Sequence, residues 1–292
     1  MATGSGDTRT KRRPKVGVVV SSGGLKAMSS IALFEFLDEA KIQVDLLIGC
    51  SGGSMVVGGW ACGYNADEMR ELSLNLWANK KIFSKIDYRS LLSIAGLPFG
   101  RFDKTCGLIN PDVAHQMYRI VYGDRMIEDL RIRTLMQATD VLTGEPVLLC
   151  SGLLREAVYA SGAILPLLPP LCIGGRWLMD GVYSSPLPVL EAVNRGMDVV
   201  IAMTYEEHTT EESKGFVPYF LRSVGYSHQW LRRSQTALAV DLHHHEIIFI
   251  NIAFNEFIGL RASDKIPGIL EAGKVAIANK KEEILAGIQG FK

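Results

Sequence analysis

No CxxC pair occurs among the 292 residues, and the five cysteines, Cys50, Cys62, Cys106, Cys150 and Cys172, are odd in number and widely spaced. That pattern supports neither a zinc site nor a disulfide framework, and the expectation is a reducing, cytoplasmic home. Charge of one sign is lacking too: 31 lysines and arginines balance 31 aspartates and glutamates. A neutral chain has no field with which to recruit nucleic acid. No apolar run approaches the roughly 18 residues of a membrane span. The opening stretch MATGSGDTRTKRRPK has no apolar centre of the kind a secretory signal carries. Internal repeats and low-complexity tracts are absent as well. Residues 1–14 read as a disordered basic tail, and Lys11, Arg12, Arg13 and Lys15 suit solvent or anionic lipid headgroups. Residues 15–292 read as one domain.

What the chain does have is a globular composition, 48% apolar and 21% charged. Its mean hydropathy of +0.15 suits a buried parallel sheet or a greasy binding surface. Strand-like runs cover residues 16–20, 44–48, 135–141, 147–149, 199–204 and 247–252. Helical spacing covers 28–40, 54–60, 66–78, 153–161, 189–195, 216–242 and 269–288. Such alternation predicts an α/β fold with a mainly parallel central sheet. Residues 80–106, broken by Gly96, Pro98 and Gly100, predict loops and a mobile cap. Within 80–101, Phe83, Leu91, Leu92 and Phe99 mix with Lys80, Lys81, Lys85 and Arg101, a composition that suits either an anionic membrane interface or a loop packed on the core.

Three short segments carry chemistry. Gly49-Cys50-Ser51-Gly52-Gly53 follows an apolar strand and precedes a helix-like run, the setting of a nucleophile elbow. The sharp turn admits only small neighbours and presents the Ser51 hydroxyl beside a helix N-terminus, where negative charge is favoured. Ser21-Ser22-Gly23-Gly24-Leu25-Lys26 ends the first strand, and its glycines expose backbone N–H groups that suit a phosphate or an oxyanion. A dinucleotide loop begins similarly, but Ser22 and Ala27 occupy two of that motif's glycine positions. Leu178-Met179-Asp180-Gly181 places a carboxylate where a loop leaves the sheet, although an ordinary turn also uses Asp-Gly.

Taken together, these segments resemble the patatin-like phospholipase family, in particular its small bacterial single-domain members. The family's glycine-rich loop with a basic residue, its Gly-x-Ser-x-Gly and its Asp-Gly-Gly/Ala are matched by Ser22 to Ala27, Gly49 to Gly53, and Asp180-Gly181-Val182. Ile127-Glu128-Asp129-Leu130, Ala138-Thr139-Asp140, Thr143-Gly144-Glu145-Pro146-Val147, the stretch 157–170 and Ser185-Pro186-Leu187-Pro188 extend the likeness over about residues 16–204. The resemblance implies a three-layer fold with helices on both faces of the sheet. It implies a serine lipid acyl hydrolase in which Ser51 is the nucleophile and Asp180 accepts its proton. Gly23, Gly24 and Lys26 then form the oxyanion loop, Gly49 and Gly53 shape the elbow, and Gly181 belongs to the Asp-Gly motif. No metal or other cofactor is implied. The implied partner is a membrane or micellar lipid, with peripheral contact with an anionic membrane. Ser22, Ala27 and Val182 depart from the pattern, and a β-branched Val182 is expected to narrow the cleft or tilt Asp180.

Two other readings stay open. An α/β-hydrolase triad would recruit a histidine from His208, His228, His243, His244 or His245, though its elbow usually comes after more of the sheet. A lipid-binding scaffold that has lost activity would keep the fold without the chemistry.

Overall fold

The computed structural model describes residues 12–77, 87–94, 104–208, 215–242 and 246–290. Among the described residues, eight strands form one sheet in the order β5-β6-β3-β2-β1-β7-β8, with β4 paired to β3 off this path. The parallel part joins β1 (Val16–Val20), β2 (Leu46–Cys50), β3 (Arg133–Asp140), β7 (Val199–Glu207) and β8 (Glu246–Phe254). Antiparallel strands β4 (Pro146–Leu149), β5 (Leu171–Ile173) and β6 (Arg176–Asp180) complete one side. The β-branched run of β1 is buried along its whole length, as expected for a strand covered on both faces.

Alternation along β1 and β2 sends side chains into two cores. Val16, Val18, Val20 and Leu47 join the larger one with α1 (Ile31–Glu39), α2 (Gly52–Ala61), α5 (Asp112–Tyr122), α6 (Leu154–Ser161) and α9 (Ile266–Gln289). Val19, Leu46 and Ile48 join the other with α7 (Val189–Asn194) and Ala239 of α8 (Phe216–Leu242). Helices therefore cover both faces, and the three-layer α/β expectation holds. Among the described residues, no helix is long and apolar enough to cross a membrane.

Several expectations need correction. The helix expected over 28–40 begins as a tighter 3-10 turn at Gly24–Ser30 before α1. The one expected over 66–78 is α3 (Ala66–Leu72), relaxing into a π-turn at Ser73–Trp77. A short helix, α4 (Tyr88–Ile94), stands inside the stretch expected to be loop. Phe83, Phe99, Lys80, Lys81, Lys85 and Arg101 lie outside the described residues, as do His243, His244 and His245. The tail boundary also shifts. Arg12 grips Asp198 through both terminal nitrogens at 2.6 and 2.9 Å, and Arg13 grips Asp45 at 2.7 and 2.5 Å. These arginines pin the entry to β1 rather than lying free.

Candidate active site

The site gathers at the C-terminal ends of the parallel strands, where loops replace ladder and backbone groups are open to a ligand. Strand β2 stops at Cys50, and Ser51 turns with φ 53° and ψ −122°. A non-glycine residue holds this conformation only where its surroundings impose it. Helix α2 begins at once. Its first turn passes so close to β1 and β2 that a side chain on Gly53 would collide with the Val20 carbonyl, and one on Gly49 with the Ser54 backbone. Elbow glycines are therefore packing requirements, and they leave the Ser51 hydroxyl at the positive end of α2.

Strand β3 supplies the other half. Its residues 133–137 pair with β2 and its residues 138–140 with β6, while β4 pairs with 136–139 across both. A residue has only two ladder edges, so β2 and β6 share one edge of β3 and meet end to end. Cys50 stands opposite Gln137 and Asp180 opposite Ala138, one register step apart. Across this junction Ser51 Oγ donates to Asp180 Oδ2 at 2.7 Å. Gly181 then crosses the Gln137 carbonyl with no room for a side chain.

Where the two strands stop, ladder partners run out, and Ser161 fills the break. Its hydroxyl donates to the Gln137 carbonyl at 2.7 Å and accepts the Ser51 N–H at 2.9 Å. Asp180 is only 1% exposed. Its second oxygen accepts the Val182 N–H at 2.9 Å, and its own N–H donates to the Ala163 carbonyl at 3.0 Å. Burial pushes the carboxyl up to about 7, against the opposing pull of the Ser51 hydroxyl and the Val182 N–H. Val182 contributes its N–H to holding the carboxylate, and its side chain is buried. Burial and the charge of Asp180 also push up the hydroxyls of Tyr118 and Tyr183, so both stay protonated.

The glycine-rich loop lies against the elbow. The Pro186 carbonyl anchors its entry, accepting from Ser21 Oγ at 3.0 Å and from the Ser22 N–H at 2.9 Å. Gly24 sits at φ +55° with its carbonyl packed on Gly52, where any side chain would clash. Among the described residues, no acceptor takes the N–H of Gly23, Gly24 or Gly52. Lys26 follows Gly23 and Gly24 in the loop, and its own polar groups are engaged within the protein. Its N–H donates to the Gly23 carbonyl at 3.1 Å, and its Nζ pairs with Glu207 at 2.6 Å. Glu207 also accepts the Ile258 N–H at 3.1 Å, so Lys26 ties the loop to β7 and the turn after β8.

Of the candidate histidines, His208 and His228 are described, and neither hydrogen-bonds to Ser51 or Asp180. His208 reaches Glu206 at 3.5 Å. His228 lies edge-on to Tyr183, and burial pushes its pKa down to about 4. No group of three potential metal ligands gathers among the described residues. Gly52 and Ser161 are the additions the sequence reading lacks. The first is the neighbour whose N–H an elbow always presents; the second sits inside the matched stretch 157–170, but its bonds depend on long-range strand pairing.

A family model described as patatin-like phospholipase matches residues 18–193. Lysophospholipase NTE1 of Scheffersomyces stipitis is 30% identical over 191 residues, covering 64% of this chain and 11% of that protein. Lysophospholipase NTE1 of Debaryomyces hansenii is 28% identical over 191 residues, covering 64% of this chain and 12% of its own length. The chain thus spans a small fraction of these curated relatives. Among solved structures, VipD from Legionella pneumophila shares the fold with a TM-score of 0.55 at 14% identity, covering 92% of this chain and 66% of that one. With most of the chain matched, from β1 through α7, the chain belongs to the patatin-like phospholipase family, a family of lipid ester hydrolases.

Proposed function

We propose that this chain hydrolyses acyl esters of phospholipids or lysophospholipids through a Ser51–Asp180 dyad. The observation that carries the proposal is the direct 2.7 Å hydrogen bond from Ser51 Oγ to a buried carboxylate, with no histidine between them. Ser51 Oγ attacks the ester carbonyl as its proton passes to Asp180. The oxyanion that forms is met by the N–H groups of Gly23, Gly24 and Gly52. Its collapse breaks the bond to the alcohol, which takes the proton back from Asp180. Water activated by Asp180 then releases the fatty acid and frees Ser51. A carboxyl pushed up to about 7 suits this work, because a general base acts best when its pKa lies near the working pH. A fluorophosphonate probe is expected to label Ser51 stoichiometrically, located by peptide mass spectrometry. An unlabelled Ser51 in folded protein would overturn the reading and favour a scaffold without activity.

The loop and the junction carry two further expectations. Gly24→Ala strains a left-handed backbone and brings a methyl to about 3.3 Å from Leu260 Cδ2. The N–H should rotate off target and lower kcat by about a hundredfold, the scale of one lost oxyanion donor. KM should change far less, since the donor acts mainly on transition-state charge. Steady-state kinetics on a short-chain ester with near-normal kcat would show the loop to be only a turn. Ser161→Ala leaves a buried carbonyl and the Ser51 N–H without partners, a loss of roughly 1–3 kcal/mol. Thermal denaturation should show a lower Tm, kcat should fall about tenfold, and Ser161→Thr should restore part of both. Unchanged Tm and kcat would mean that the break needs no plug.

A further inference from the structure

One face of α8 does work that the hydrolytic site does not use. Four residues on its inner side hold the helix to the site. His228 packs on Tyr183, and Arg232 donates to the Tyr205 carbonyl at 2.6 Å. Gln235 donates to the Ser184 carbonyl at 2.9 Å, and Ala239 is fully buried. Their spacing puts them on a single stripe at the helical period. Tyr219, Tyr226 and Trp230 fall on the opposite stripe and are 64%, 54% and 66% exposed. Arg222 and Arg233 flank them: Arg222 Nε bonds to the Tyr226 hydroxyl at 3.0 Å, and Arg233 lies over the Trp230 ring at 5.3 Å. Arg233 also reaches Glu206 at 3.7 Å. Between residues 215 and 240 every charged side chain is an arginine.

The position of this stripe is as telling as its composition. Helix α8 leaves the end of β7 and returns the chain to the start of the parallel strand β8, so it runs back along the sheet from the site's end. Arg232 is level with Tyr205. From there to Tyr219 the helix rises about 20 Å, whereas β7 continues for only two residues, about 7 Å. Tyr219 and Tyr226 therefore stand beyond the end of β7 and Trp230 is level with its last residues, all toward the end of the sheet that carries Ser51.

We propose that this outer face of α8 is the surface by which the protein docks on anionic lipid bilayers. Tyrosine and tryptophan rings, apolar in body and polar at one edge, settle at the headgroup level. Arginines beside them complement anionic headgroups. Docking there faces the end of the sheet that carries Ser51 toward the lipid. The inference rests on the lipid-hydrolase reading for its purpose, but binding is measured apart from hydrolysis.

The test uses the full chain carrying Ser51→Ala, so that no lipid is consumed, and vesicles of phosphatidylcholine with 30 mol% phosphatidylserine or of phosphatidylcholine alone. Sedimentation is expected to show binding to the anionic vesicles, weakened at least tenfold by Tyr219→Ser, Tyr226→Ser and Trp230→Ser together. A vesicle-dependent blue shift of tryptophan emission should vanish in Trp230→Phe. Placed in the chain with Ser51 intact, the triple substitution should leave hydrolysis of soluble p-nitrophenyl butyrate unchanged and slow hydrolysis of vesicle lipid. Equal vesicle binding by parent and triple variant would overturn the proposal. So would a parent that ignores vesicles but forms a dimer that the triple variant loses, since the occupant would then be a second copy. A protein that docks yet hydrolyses nothing would defeat the hydrolase reading and leave the docking surface standing.

Discussion

Ser51→Ala is expected to remove ester hydrolysis, lowering kcat by about ten-thousandfold or more, as loss of a covalent nucleophile does in serine hydrolases. The fold should survive. Alanine meets the same backbone strain as serine at φ 53°, and the Ser51 N–H bond to Ser161 depends on the main chain alone. What the variant loses is the donor to Asp180, whose carboxyl should then hold its proton to higher pH because one opposing influence is gone. Initial rates on p-nitrophenyl butyrate and lysophosphatidylcholine, with circular dichroism as the folding control, decide the matter. A folded variant with turnover near that of the parent would place the nucleophile elsewhere.

Asp180→Asn should be nearly as damaging, about ten-thousandfold in kcat, because the amide still accepts from Val182 but can take no proton. His208→Ala, His228→Ala and alanine at each of His243, His244 and His245 should stay within a few fold of the parent. One histidine variant as inactive as Ser51→Ala would turn the reading to a triad. The pH profile adds a second signature. Only the carboxylate form is a base, so the parent's kcat/KM should climb as pH rises through about 7 and level off above it. The same carboxyl makes a stability statement. In the unfolded chain it titrates near 3.9, whereas the folded chain keeps the proton to about 7. Its favourable contribution is complete below about pH 4 and is lost as pH rises through 7. Asp180→Asn, neutral throughout, should therefore raise Tm at pH 8 by several degrees, on the order of a few kcal/mol. A lower Tm at pH 8 would show that the burial of this charge is compensated.

How much of this was legible in the chain follows from the range of each interaction. Val16–Val20, the Gly-x-Ser-x-Gly elbow and the Asp-Gly pair are readable because each leaves a mark within a few residues, a β-branched run, small residues around a serine, and a carboxylate beside a glycine. Helix α5 stands where the reading saw no element, although its buried positions Ala114, Met117, Tyr118, Val121 and Tyr122 follow helical spacing; His115, Gln116 and the tyrosines diluted the signal. The hairpin of β5 and β6 was shorter than the pattern could resolve. Lys26 could be placed in a motif but not aimed, because Glu207 lies 181 positions away. Ser161 and the junction it fills depend on which strands share an edge, and pairing of that kind leaves no local mark.

That junction also decides how the molecule tolerates change. Ser51 and Asp180 are 129 positions apart in the chain, yet their separation is fixed by a single step along β3, which acts as a ruler read from both directions. What lies between β2 and β3 after the first turn of α2, or between β3 and β6 apart from Ser161 and Ala163, is free to lengthen, shrink or be exchanged without moving either group, provided the two strand ends keep their marks. The ruler itself forgives nothing. A one-residue slip of β6 would carry Asp180 about 3.3 Å along the edge and turn its side chain to the other face of the sheet. The pair is therefore set in an all-or-none way, and variation among relatives is expected to collect in the connections while the indexing of Cys50 on Gln137 and Asp180 on Ala138 stays put.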